Sequence, residues 1–402
     1  MARLGRMQGE QGEQGEQGEQ GEQGEQGEQG GGSSGLWPGC AGAAGQGLIN
    51  TRDGIVVRPG DPPVIDRRAL PFREPDKDGL PRMAGTRRLY ECSADIRQIN
   101  LLAELMQPLH LSADGASKSV LVQHIELDRK LARYPIYRIA RPARKIFEGA
   151  QLTLVQQWAE LRSERLGEIT TQLGVPLHYW AGLVDLNPTS YRRTLELLGL
   201  GLELAYRVLQ PTKHYLACPR PTSYSPSIQP VIRPRRFEAF PSGHATEAFF
   251  VARMLSHLAG HRADQPKHQE LDNQLQRLAT RIANNRIISG VHFHIDSVAG
   301  RMVGETLAEY LIYRCDPSSD GWKPRCFDGT ALVGDEPMLQ RGLDRTEAMD
   351  GSKAQPYFQW PGQKPHRRIR PPLSQSLVTH SGQAHEAGLL NLLWHEAASE
   401  WR

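Results

Sequence analysis

The chain has 402 residues, with 48 Lys plus Arg against 45 Asp plus Glu and a formal net charge of +3. So small and evenly spread an excess provides no basic face for nucleic acid. A mean hydropathy of -0.51, with no long apolar run, argues against a membrane-spanning helix. The five cysteines, Cys40, Cys92, Cys218, Cys315 and Cys326, are scattered and odd in number. They form neither a metal pattern nor a disulfide framework, which fits a reducing compartment.

Arg3 and Arg6 are followed by a Gly-Glu-Gln tract over residues 9 to 32 in place of an apolar core. This predicts no secretory signal and a cytoplasmic location. Glycine at every third position suggests collagen, but the tract lacks the proline that favours that helix, so residues 1–60 read as a disordered tail. A Pro- and charge-rich connection covers 65 to 85. Helical periodicity then begins with Ile96, Leu101, Leu102, Leu105, Met106 and Leu109. Further helices are predicted over 150 to 168 and 190 to 209, the latter weakened by Gly199 and Gly201.

The stretch from 219 to 241 holds six prolines and is predicted to be irregular. Three helices should follow: from His244 to about Leu258, from about Gln269 to Arg286, and from near Asp296 through Leu311. Strand signals are few, so the fold class is mainly α, a helical bundle with irregular Pro-rich loops. Beyond Cys315 the chain turns Pro- and Gly-rich, with a basic stretch at Arg367, Arg368 and Arg370 that reads as a solvated loop. A last helix over 383 to 401 should dock on its own domain or on a sister subunit, and a homodimer is one expectation.

Three segments carry the chemistry. In Pro241-Ser242-Gly243-His244, Gly243 lets the backbone approach an anion and the following helix aims its N-terminus there. Ser242 adds a hydroxyl donor, and His244 can move a proton near neutral pH. In the run from Arg286 to Asp296, Arg286 closes one helix, Gly290 breaks the chain and Asp296 opens the next helix. Four residues after His292, Asp296 can hold one ring nitrogen and leave the other as a nucleophile or ligand, or it can simply cap its helix. Lys213 and Arg220-Pro221 add a mobile point charge and a planar fork.

His292, His294 and Asp296 at alternate positions also resemble the zinc pattern of metallo-β-lactamase-like hydrolases. That pattern expects a histidine where this chain has Ser297, so His294 is expected at the surface or behind the site.

The order Lys213-(six residues)-Arg220-Pro221, Pro241-Ser242-Gly243-His244, Arg286-(five residues)-His292-(three residues)-Asp296 resembles the type 2 phosphatidic acid phosphatase/vanadium haloperoxidase superfamily. It is most similar to the soluble bacterial haloperoxidase-like members. The chain departs from the family in carrying Asn285 where serine usually precedes the arginine.

The resemblance implies an oxyanion held by Lys213, Arg220, Ser242, Gly243 and Arg286, with His244, His292 and Asp296 catalytic. It places this domain at 140–315, between an N-terminal extension with helices at 61–139 and a C-terminal extension at 316–402. With vanadate as cofactor, bound through His292, the substrates would be peroxide and a halide. With no cofactor, the substrate would be a phosphate monoester and His292 would carry the phosphoryl group. A non-catalytic oxyanion-binding protein is the third expectation.

The haloperoxidase is the leading expectation. The chain has no membrane span, is longer than a minimal acid phosphatase of this type and lacks an export signal. Cys218 points the other way if this positive neighbourhood makes it a thiolate, which peroxide would oxidise; the alternative is a buried and inert thiol.

Overall fold

The structure, a computed structural model, describes residues 86–126, 131–174, 176–234, 236–260, 265–316, 318–329, 363–365 and 388–402. The Gly-Glu-Gln tract and the basic stretch at Arg367, Arg368 and Arg370 lie outside them.

In chain order the main elements are α1 (Ala94–Met106), β1 (Leu109–Asp114), β2 (Ser119–Ile125), β3 (Arg133–Ala140), α2 (Leu152–Trp158), α3 (Arg162–Thr171), α4 (Leu177–Val184) and α5 (Arg192–Leu216). Then come α6 (Gly243–Ala259), α7 (Gln265–Ile288), α8 (His294–Cys315), β4 (Arg325–Asp328), β5 (Gln363–Pro365) and α9 (Leu389–Ser399). The fold is mainly a helical bundle with proline-containing loops, as the periodicity predicts. No helix among the described residues is long and apolar enough to cross a membrane.

α8 is the central helix. It is buried along nearly its whole length, from His294 to Cys315. An all-round buried helix must be packed on every side. α6 packs most extensively on it, and α5, α7, α9 and the sheet supply further contacts. α6 carries the apolar face Phe249, Phe250, Met254, Leu255 and Leu258 into the same core. α5 runs unbroken through Gly199 and Gly201, against the weakened prediction. Buried Leu197, Leu198, Leu200, Leu204, Val208 and Leu209 hold it on the core, and tertiary packing overrides local propensity.

The sheet is the element that periodicity did not bring out. β1, β2 and β3 form an antiparallel meander, β4 pairs parallel to β3, and β5 pairs antiparallel to β4. In β2 the inward positions are Val120, Val122 and His124, alternating with half-buried Leu121 and Gln123. His124 accounts for part of the missing signal, since a histidine occupies an inward position and is held there by Tyr310, with Nδ1 3.0 Å from its hydroxyl. Pairing between β3 and β4 joins residues almost two hundred positions apart, beyond the reach of local pattern.

α9 docks on its own chain, against α5, α8 and α1. The Glu400 carboxylate accepts from Arg193 N at 2.7 Å and from Thr194 N and Oγ1 at 2.8 Å each. It thereby satisfies amides at the α5 N-terminus that the helix cannot pair itself.

Where α6 crosses α8 the backbones meet. A Cβ at Gly300 would stand 2.6 Å from the Ser242 carbonyl oxygen, so a larger residue there forces the helices apart. Gly300→Ala should lower the unfolding free energy by about 1–3 kcal/mol. A lower urea midpoint with an unchanged slope is the expected reading.

Candidate active site

The three segments converge at one end of the bundle. Lys213 lies in the last turn of α5, where Ala217 takes a left-handed conformation (φ 49°) and reverses the chain. That reversal brings Arg220 back alongside Lys213. The 219–241 loop then leads into Ser242 at the N-cap of α6, as its prolines predict. Gly290, with φ at +83°, turns the chain between α7 and α8 so that Arg286 and His292 share the site. Side chains rarely adopt that conformation, which is why glycine stands there.

Lys213 is 1% exposed and donates to the Glu238 and Ala239 carbonyls at 3.2 and 3.1 Å. Arg220 donates through Nε to Phe237 O and through Nη1 to Val291 O, each at 2.9 Å. Its Nη1 also lies 3.4 Å from His292 Nε2. The Phe237 ring lies beneath both cations, 5.4 Å from Lys213 Nζ and 5.0 Å from the Arg220 guanidinium carbon. Arg286 is fully buried and donates through Nη2 to Ile169 O at 2.9 Å, while its Nε and Nη1 have no protein partner.

Burying three cations together is costly unless counter-charge arrives. Burial lowers the Arg286 guanidinium to about 10, with Glu247 opposing the shift. Lys213 falls to about 7, from burial first and then Arg220.

Asp296 is the third residue of α8, which begins at His294, slightly earlier than the sequence predicts. Both of its expected roles hold. Its Oδ2 accepts from His292 Nδ1 at 3.0 Å and from Phe293 N at 2.9 Å, so it orients the histidine and caps the helix. Its own carbonyl accepts from Ser242 N at 2.8 Å, tying α8 to the start of α6. Burial raises its carboxyl to about 7. Burial, Arg220 and Lys213 hold His292 well below the ordinary imidazole range, so its ring is neutral.

Ser242 Oγ accepts from Ala245 N at 3.4 Å as helix cap. That use of the oxygen leaves the hydroxyl hydrogen able to donate. His244 places Nε2 3.0 Å from the Gln172 carbonyl oxygen, which can only accept, so that nitrogen carries a proton.

Two readings that the sequence left open are decided. Cys218 is fully buried and burial pushes its thiol up to about 12, so it is no thiolate. Cys218 therefore gives no ground against peroxide chemistry. His294 is not at the surface but 3% exposed, at the first turn of α8. Among the described residues no group of three or more His, Cys, Asp and Glu side chains is placed to hold a metal ion.

Residues missed in the sequence surround the site. Arg162 of α3 donates to the Ile288, Gln229 and Ile228 carbonyls at 2.8 to 2.9 Å, clamping the loop to the end of α7. Glu247, one turn into α6, brings a carboxylate 3.9 Å from where a Cβ on Gly243 would stand. It lines a small pocket with Pro176, Trp180, His244, Ala248, Val251 and Ile282. Glu247 had a signal, being on the same helix face as Gly243 and His244; Arg162 had none.

The PAP2 superfamily matches residues 195–318, the stretch that carries all three segments in order. Among solved structures, a transmembrane PAP2-type phosphatidylglycerolphosphate phosphatase from Bacillus subtilis is similar at 23% identity. The match covers 41% of this chain and 84% of that one, with a TM-score of 0.32. No curated protein matches the chain. α3 and Gln172 lie outside the PAP2 segment, so part of the wall around it comes from elsewhere in the chain.

Rising pH removes a proton from Lys213 and from Asp296 over the same range, and both losses take positive charge from the site. Sulfate, which does not titrate there, should bind progressively more weakly between about pH 6 and pH 8. Lys213→Arg should flatten that decline, as followed by titration calorimetry, because guanidinium stays charged.

Proposed function

We propose that the protein hydrolyses phosphate monoesters through a phosphohistidine at His292. The observation that carries this reading is the state of His292: buried, neutral, with Nδ1 on Asp296 and Nε2 facing Arg220 among three buried cations. A carboxylate on Nδ1–H fixes the tautomer and leaves the lone pair on Nε2. A neutral imidazole amid cations is a nucleophile whose target must be an anion. The chain's own groups suffice for every step.

In the first step Nε2 attacks phosphorus in line, the N–P bond forms and the bond to the ester oxygen breaks. The leaving oxygen takes a proton from His244. In the second step His244 takes a proton from water, the hydroxide attacks phosphorus and the N–P bond breaks, freeing phosphate and His292. Lys213, Arg220, Arg286, Ser242 and the Gly243 amide hold the non-bridging oxygens as charge moves across them.

The same donors would hold orthovanadate, with His292 as its ligand and Arg286, two of whose nitrogens have no protein partner, among the groups binding it. Bound there, vanadate supplies Lewis-acid activation of peroxide towards a halide.

The test is hydrolysis of p-nitrophenyl phosphate by the purified protein. His292→Ala should abolish turnover, and acid quenching of the wild type should trap an acid-labile phosphoenzyme. His244→Gln should release one equivalent of nitrophenol in a burst and then stall, since this leaving group needs no proton but water still needs a base. Arg286→Ala should lower kcat about 100- to 1,000-fold. Absence of phosphatase activity, together with peroxide-dependent bromide oxidation by vanadate-loaded protein, would overturn the proposal in favour of the peroxidase. Oxyanion binding with neither activity would leave a binding protein.

A further inference from the structure

The donors named so far come from the three sequence segments, which leaves the wall contributed by α3 without a role. Gln172 is the first residue after α3 and is fully buried. Its backbone carbonyl accepts from His244 Nε2 at 3.0 Å. Its side-chain Oε1 accepts from Asn285 Nδ2 at 2.9 Å and from Arg286 Nη2 at 3.4 Å. One residue therefore touches the proton-transferring histidine with its main chain and the buried arginine with its side chain. Its Nε2 is buried and has no protein partner.

The direction of this amide is dictated by its neighbours. The Glu168 carboxylate takes two bonds from Arg281, at 2.8 and 2.5 Å, and one from Asn285 Nδ2 at 3.0 Å. A carboxylate only accepts, so the NH2 end of Asn285 must face Glu168, and its second hydrogen reaches Gln172. Turning the Gln172 amide over would set its NH2 against two donors, Asn285 and Arg286. The amide nitrogen is thus held away from them, in the same unpartnered state as Arg286 Nε and Nη1. Buried donors without acceptors oppose folding. A ligand oxygen supplies the missing acceptor for all three.

We propose that Gln172 is a further binding residue of the oxyanion site, its side-chain NH2 donating to an oxygen of the bound tetrahedral anion beside Arg286. Glu168 and Asn285 are the positioning residues that aim it. This accounts for asparagine at 285 where serine is usual in the family: a serine hydroxyl has a single hydrogen and cannot donate to Glu168 and Gln172 together. The inference rests on the oxyanion reading of the site and is independent of which reaction follows.

The experiment uses the full chain labelled with ¹⁵N-glutamine, with inorganic phosphate and sulfate as probes. The Gln172 side-chain signal is assigned by its absence from Gln172→Leu, or from Gln172→Glu should the leucine variant not fold. At saturating phosphate that signal should shift downfield and exchange more slowly with water. Phosphate affinity, followed by calorimetry, should fall about tenfold in Gln172→Leu, the value of one hydrogen bond to a charged group. Asn285→Ser should weaken binding less and reduce the shift.

A Gln172 signal that stays in place while the wild type binds phosphate would overturn the inference. So would an affinity in Gln172→Leu within about twofold of the wild type. Phosphate bound with Gln172 engaged, but no ester hydrolysed, supports this inference and removes the reaction proposed above. Failure of the wild type to bind either anion overturns both.

Discussion

The site hangs on one buried carboxylate. Asp296 holds His292 through Nδ1 and caps α8 through the Phe293 amide, while its main chain holds the amide of Ser242. His292, the central helix and the Ser242 turn are therefore registered to one residue with no exposed surface. Charge compensation then sets what the cavity can accept. A buried carboxylate beside three buried cations leaves positive charge that protein carbonyls solvate only in part. In the proposed reading an anion completes the balance, beside the unpartnered nitrogens of Arg286.

The bundle serves this arrangement by bringing helix ends together. The C-terminal turn of α5 contributes Lys213, the end of α7 contributes Arg286, and the starts of α6 and α8 contribute Ser242 and Asp296. Helix starts carry free amides and positive dipole ends, which suits an anion. The cationic side chains on α5 and α7 offset the opposite polarity of helices that arrive by their C-termini. The surrounding polar residues then act in two ways. Arg162 fixes the loop by donating to three carbonyls, while Glu168 fixes direction, passing orientation through Asn285 to Gln172.

Phosphoryl transfer and vanadate-assisted peroxide chemistry ask for the same cradle, because both anions present tetrahedral oxygens to the same donors. The phosphatase proposed above differs in assigning nucleophile, acid, base and charge stabilisation to side chains and amides of this chain. Cys218 does not bear on that choice, because a thiol stripped of solvent keeps its proton even beside cations.

Lys213, Arg220, Ser242, Gly243, His244, Arg286, His292 and Asp296 were legible as a set because short motifs carry their own geometry. A histidine and an aspartate four apart at a helix start face one another, and a Ser-Gly at a helix start presents amides, whatever the rest of the chain does. The principal helices were legible too, since a 3.6-residue apolar repeat reports burial directly. The sheet and the wall around the anion were not. β3 meets β4, and Glu168 meets Asn285, only after long stretches of chain have folded back, and no local pattern encodes a partner more than a hundred residues away. Sequence alone thus determined which polar groups stand at the shared helix ends; the tertiary structure decided which neighbours aim them, because hydrogen-bond direction depends on what lies across the gap.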